Sequence, residues 1–237
     1  MNGKRIVIIG GTSGLGFAAA ELAVARGASV LVASRSQDAV DKAVAALGER
    51  AEGRSLDVTD ESAVRDFFGE SADFDHLVYT AGESLLAGTL AETDIETARA
   101  FFGIRYLGAL TAVKYAVPRI LPGGSITLTS GIASTRPQGG TVVVSSVLSA
   151  VEGLTRALAL ELAPVRVNAV VPSIIRTELW NGLPEDAREG LYASVAAALP
   201  LGRVGERQDV AEAYAYLMTN QHSTGTLLTI DGGAVLV

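Results

Sequence analysis

Seven residues near the N-terminus, Gly10-Gly11-Thr12-Ser13-Gly14-Leu15-Gly16, have the make-up of a loop that wraps an anionic diphosphate. They follow the β-branched run Ile6-Val7-Ile8-Ile9 and open the alanine-rich stretch Phe17 to Arg26. Glycines here let backbone amides approach phosphate oxygens, whose charge then rests at a helix N-terminus. Gly10, Gly14 and Gly16 are spaced Gly-x-x-x-Gly-x-Gly, one residue wider than the commonest dinucleotide fingerprint. Glycines also serve ordinary strand-to-helix turns, so it is the strand–loop–helix context that points to a nucleotide. About twenty residues on, the next apolar run ends Ala33-Ser34-Arg35-Ser36. A site for NAD(H) places a carboxylate there to accept from the ribose 2′-hydroxyl. Arg35 and two serines stand there instead. A guanidinium fork suits a 2′-phosphate, so NADP(H) is expected over NAD(H), with a solvated surface arginine as the alternative.

Other chemistry is sparse. The chain has 237 residues, no cysteine and two histidines, His76 and His222, which fall far apart in fold order. No metal-ligand cluster is expected, and Cys-ligated zinc is excluded. His76 reads as a surface residue at a strand entry, His222 as a cap or loop residue. A formal net charge of −7, with no basic stripe, argues against nucleic acid as a partner. No uninterrupted apolar run approaches the ~20 residues of a bilayer span, and the N-terminus runs straight into a strand. A cytoplasmic protein with a small-molecule substrate and no membrane partner is expected.

The elements that must position the loop alternate in period. Short β-branched runs recur at Ile6–Ile9, Val30–Ala33, Leu77–Tyr79, Ser125–Leu128, Val165–Val171 and Thr226–Ile230. Helix-length stretches lie between them: Gln37 to Leu47, Glu61 to Phe68, Asp94 to Ile120, Val142 to Leu162 and Gln208 to Met218. Strands apolar on both faces, each followed by a helix, predict a parallel sheet of about seven strands covered on both sides. The fold class is α/β, a single doubly wound Rossmann domain over residues 1–237. The rhythm breaks once, after the sixth strand, where 177–205 reads as a helical lid over the substrate. In it, Trp180 reads as a hydrophobic plug and Tyr192 as a packed aromatic.

These residues together resemble the short-chain dehydrogenase/reductase family over nearly the whole chain. Leu56-Asp57-Val58 resembles the family's third-strand motif, whose aspartate meets the adenine amino group. Tyr79-Thr80-Ala81-Gly82 resembles Asn-Asn-Ala-Gly, with both asparagines replaced. Arg166-Val167-Asn168-Ala169-Val170-Val171-Pro172-Ser173 is similar to Arg-Val-Asn-x-x-x-Pro-Gly, and Asp231-Gly232-Gly233 to the closing strand. The resemblance implies a cofactor site built from the glycine loop with Thr12, Ser13 and Leu15, from Ser34, Arg35 and Ser36, and from Asp57 and Val58. It adds Thr80, Ala81 and Gly82, then Pro172, Ser173 and Ile175, with Thr177 holding the nicotinamide carboxamide. It also implies pairing of long helices across a homodimer or homotetramer interface.

The catalytic positions depart from that pattern. The family's serine falls on Gly131, with Ser130 beside it; its tyrosine falls on Val144 and its lysine on Leu148. The family's asparagine falls on Arg105. A lysine ammonium lowers a tyrosine pKa so that its hydroxyl can trade a proton near neutral pH, and valine and leucine do neither. Arg105 is the candidate for electrostatic stabilisation of an alkoxide, or else a helix arginine paired with an acid. Ser130 is the candidate for orienting substrate, or else a strand-end hydroxyl satisfying backbone. Glu83 falls at the cleft rim as a solvated loop residue. Three functions stay open: an oxidoreductase with a non-standard proton route, a catalytically inactive NADP(H)-binding sensor or scaffold, and a non-redox lyase or isomerase.

Overall fold

The computed structural model describes residues 1–83 and 88–237. Its first strand, β1 (Arg5–Ile9), lies between β2 (Ser29–Ser34) and β4 (Phe74–Tyr79), and Ile6 to Ile9 are essentially inaccessible to water. With β3 (Ala51–Ser55), β5 (Ile120–Thr129), β6 (Arg166–Pro172) and β9 (Leu227–Ile230) they form one sheet in the order β3-β2-β1-β4-β5-β6-β9. Every pairing in it is parallel. Two-residue strands β7 (Ile175–Arg176) and β8 (Gly205–Glu206) pair separately at the base of the lid region.

Side-chain alternation splits the apolar residues into two layers. Ile6, Ile8, Val30, Val32 and Val78 face α1 (Gly14–Ala25), α2 (Gln37–Leu47) and α8 (Arg207–Thr219). Val7, Ile9, Leu31, Leu77 and Ile126 face α3 (Glu61–Gly69), α5 (Gly108–Ala116) and α6 (Val142–Glu161). Alanines 19, 20 and 23 bring α1 close against Ala213 and Tyr214 of α8. On the other face Phe67 and Phe68 meet edge to face, 5.1 Å between ring centroids, and Phe74 packs beside them. Each such side chain contributes about 1.5–3 kcal/mol by leaving water. Among the described residues only α6 has the length and apolarity of a bilayer span. Half of that stretch is buried, with Val151, Leu154 and Leu158 turned onto the sheet.

Strand order reverses between β1 and β4, so the loops leaving their C-terminal ends diverge and open a crevice. The stretch from Asp94 to Ile120, expected as one helix, is four pieces, α4 (Ile95–Phe102), a wider π-type turn (Gly103–Leu107), α5 and a 3₁₀ turn (Val117–Arg119), and Ile120 already opens β5. The Tyr79 hydroxyl donates to the Ile104 carbonyl at 2.5 Å inside that turn. An oxygen that a wide turn leaves poorly served thus gains a donor. Helix α7 (Glu185–Ala198) occupies the middle of the lid region, with Tyr192 buried beneath the Arg176 guanidinium, 4.2 Å from ring centroid.

His76 corrects the sequence expectation. It is buried on β4, its Nδ1 2.9 Å from Ser125 Oγ, because β4 is covered on both faces. Burial depresses its pKa to about 4; the charge of Asp75 opposes this, while Arg166 and Lys4 add to it. An unfolded histidine titrates near 6.5. The neutral ring therefore adds stability that is whole above about pH 6.5 and drains away as pH falls toward 4, at about 1.4 kcal/mol per unit. Denaturant unfolding from pH 7 to 4 should show this slope, and His76→Gln should remove that share of it.

Candidate functional site

The crevice at the strand reversal is a cleft of about 580 Å³. Its floor is the turn after β1. Gly10 holds φ +86° and Gly14 φ +53°, the left-handed region that favours glycine. A Cβ on Gly10 would stand 2.6 Å from Ala81 N, and one on Gly16 only 2.3 Å from Gly10 O. Thr80, in place of the family asparagine, donates its Oγ1 hydrogen at 3.1 Å to both Ile9 O and Gly10 O. It ties the end of β4 to the glycine turn. The result is a tight backbone turn at the start of α1, with no space for a side chain at Gly10 or Gly16.

Most of the residues assigned to a cofactor from the sequence line this cleft: Gly10, Thr12, Ser13, Gly14, Leu15 and Gly16; Ser34 and Arg35; Val58; Thr80, Ala81 and Gly82; Pro172, Ser173, Ile175 and Thr177. Arg35 is exposed, and among the described residues no carboxylate lies within ion-pair distance of its guanidinium. Ser36 and Asp57 stand outside the lining. Ser36 Oγ caps α2 by accepting from Ala39 N at 3.3 Å. The Asp57 carboxylate, just past the end of β3, accepts from Thr59 N at 2.9 Å and Thr59 Oγ1 at 2.7 Å. Those bonds hold its pKa below the usual carboxylate range. Both side chains are engaged in local turns, which their positions in the sequence did not reveal.

The far wall is largely apolar. Gly131, Val144 and Leu148 all line the cleft, and a Cβ on Gly131 would meet Leu148 Cδ1 at 3.2 Å. Val144 and Leu148 pack with Phe101 and Val147. Ser130 also lines the cleft, yet its Oγ is bound into α6, donating at 3.2 Å to Leu148 O and at 3.1 Å to Glu152 Oε1. Glu152 is buried and receives a further hydrogen bond from Ser134 Oγ. Its other oxygen lies 3.9 Å from Arg156. This carboxylate, one turn past Leu148, knots the end of β5 to the helix.

Polarity enters beside this wall, across the Phe101 ring. Arg105, in the π-type turn, stacks 4.8 Å over the Phe101 ring and donates from Nη2 to Glu83 O at 2.5 Å. Its guanidinium lies against Gly82, where a Cβ would come within 2.5 Å of Cζ. Among the described residues, Arg105 Nε and Glu83 Oε2 are both buried without a hydrogen-bond partner. Burial pulls the Arg105 pKa down, opposed by the charge of Glu83. Burial pushes the Glu83 carboxyl up, opposed by its own backbone N–H and by Arg105 and Arg35. The expectation of a solvated Glu83 is thus corrected. Its single sequence signal was a carboxylate directly after Ala81-Gly82.

The lid region supplies the last wall. Trp180 lines the cleft and donates from Nε1 to Ile175 O at 3.0 Å. Glu178, two residues before it, accepts from Gly14 N at 2.9 Å. Nothing in the sequence signals a contact between residues 164 apart.

Comparison with known proteins bears on this arrangement. The family model described as enoyl-(acyl carrier protein) reductase matches residues 10–235. A short-chain dehydrogenase/reductase of Stachybotrys chlorohalonatus is 39% identical, covering 100% of this chain and 98% of that one. Meso-2,3-butanediol dehydrogenase of Serratia marcescens is 34% identical, with 98% and 94% covered. Among solved structures, a small-chain dehydrogenase in complex with NADPH superimposes with a TM-score of 0.86 at 34% identity, covering 99% of each chain. The MalC reductase/Diels-Alderase of Malbranchea aurantiaca gives a TM-score of 0.93 at 31% identity, covering 100% and 98%.

Proposed function

The chain belongs to the short-chain dehydrogenase/reductase family, and on that premise we propose an NADP(H)-dependent oxidoreductase acting on a small, moderately apolar carbonyl or alcohol. The observation that carries this reading is a glycine turn at the start of α1, flanked by an arginine with no ion pair among the described residues, at one end of a largely apolar cleft. Gly10 to Gly16 would hold the diphosphate, Arg35 the 2′-phosphate and Thr177 the carboxamide. When bound, the nicotinamide supplies or takes up the hydride. The chain's own task is to position the substrate and move one proton.

In this reading Arg105 steadies negative charge developing on the substrate oxygen, since its Nε is desolvated and uncommitted. Glu83 holds the proton at Oε2 and passes it to that oxygen as the carbon is reduced, or takes it up in the reverse direction. Its raised pKa suits an acid working closer to neutral pH. Ser130 serves the wall through Glu152 rather than the substrate. Exposed Leu107 and Leu110 in the α4–α5 region and Leu160 on α6 are covered by further copies in a homodimer or homotetramer.

The emptied positions Gly131, Val144 and Leu148 favour a second reading, a cofactor-binding sensor or scaffold without turnover. Purified protein mixed with NADPH and a panel of aldehydes, ketones and quinones separates the two. Falling NADPH absorbance supports the enzyme, and binding without turnover across the panel supports the sensor. Arg35→Ala should weaken NADPH binding about 10- to 100-fold by calorimetry and leave NADH unchanged; equal NADH and NADPH affinity in the parent would overturn the cofactor assignment. With a turned-over substrate, Arg105→Ala should lower kcat/KM by about 10²–10³. Glu83→Gln should lower kcat for carbonyl reduction by about 10²–10⁴. The parent rate should fall as pH rises through the elevated Glu83 pKa, and the Gln variant should lose that limb. Sedimentation at micromolar concentration should show a dimer or tetramer.

A further inference from the structure

The contact between Glu178 and Gly14 has no place in the chemistry above, yet it sits on the ground where the cofactor's charge must go. Helix α1 begins at Gly14 with no acidic residue in its first turn, and Ser13 before it makes no side-chain cap. The open amide is satisfied instead by Glu178 Oε2 at 2.9 Å. A carboxylate is favourable at the positive end of a helix. A diphosphate is favourable there for the same reason. Two anions cannot share the place at hydrogen-bond range.

A second observation gives the carboxylate somewhere to go. Glu178 also lines an open depression on the other side of its turn, together with Arg176, Arg188 and Arg207. Arg176 is already within reach of Glu189 and Glu206, and Arg207 of Glu21. Arg188 has a neutral partner, Asn181 Oδ1 at 3.1 Å, and among the described residues no ion pair. It is the cation left to receive a displaced Glu178. The same short turn, Glu178–Trp180, carries the tryptophan that lines the cleft.

We propose that Glu178 is a gate on the phosphate cradle: it caps α1 in the free protein and is displaced toward Arg188 when the cofactor's diphosphate enters, carrying the Trp180 turn with it. The gate lowers cofactor affinity and hastens release, and it links the phosphate end of the cleft to the substrate end. This rests on the cofactor reading above, since the diphosphate is the displacing group.

The test is calorimetric titration of the full-length protein with NADPH and, separately, with inorganic diphosphate. The proteins are the parent, Glu178→Gln, Arg188→Ala and the double variant. Glu178→Gln should bind both ligands about 5- to 10-fold more tightly, because a like charge has left the site. Arg188→Ala should weaken NADPH about 3-fold in the parent background and have no effect beside Glu178→Gln. Fluorescence of Trp180, the only tryptophan, should shift on diphosphate binding in the parent and less so in Glu178→Gln. Equal or weaker binding by Glu178→Gln, or an Arg188→Ala effect of the same size in both backgrounds, would overturn the gate. If no protein binds NADPH while diphosphate still tightens in Glu178→Gln, the gate stands and the cofactor reading falls. If neither ligand responds to residue 178, the gate falls whatever NADPH does.

Discussion

Backbone touching backbone at the end of β1 is the constraint on which the rest depends. Gly10 and Gly16 approach so closely that a single carbon on Gly16 would collide with the Gly10 carbonyl, and Thr80 then closes the contact from β4. This fixes the start of α1 relative to the sheet and leaves its first amides facing the crevice. The strand reversal supplies the crevice itself, because the loops after β1 and β4 must part there. Three charged side chains of the cleft stand around that turn: Arg35 at the end of the neighbouring strand, Arg105 across Gly82, and Glu178 from the segment after β7.

The far wall shows the opposite arrangement. There Gly131, Val144 and Leu148 line the cleft, and the hydroxyl and carboxylate nearby are turned inward. Ser130, Ser134 and Glu152 satisfy one another within the wall. A buried carboxylate left unpaired is costly, and here two hydroxyls and the nearby Arg156 offset that cost. The cleft thus sets an apolar wall beside an arginine and a glutamate that have unsatisfied atoms among the described residues.

The sheet was legible because its strands are apolar on both faces and alternate with helix-length stretches, and the cradle because glycines recur in a strand–loop–helix context. Arg105 was legible only as an alignment to the family's asparagine. What escaped was set by contacts distant in sequence. The π-type turn depends on a hydroxyl from Tyr79, so no local pattern divides 94–120 into two helices. His76 stands at the entry to its strand and so reads as exposed, whereas the bulk of the sheet covers it. Glu178 is invisible until the lid region folds back over α1.

The knot at Glu152 has a bearing on what the wall can accept. A lysine at position 148 would set an ammonium one helical turn from a carboxylate already lodged in the wall, and that carboxylate would compete for it. A tyrosine at 144 would press a ring into space that Phe101 and Val147 already fill. Either substitution alone meets resistance from its neighbours, so a polar wall here would need several side chains to change together.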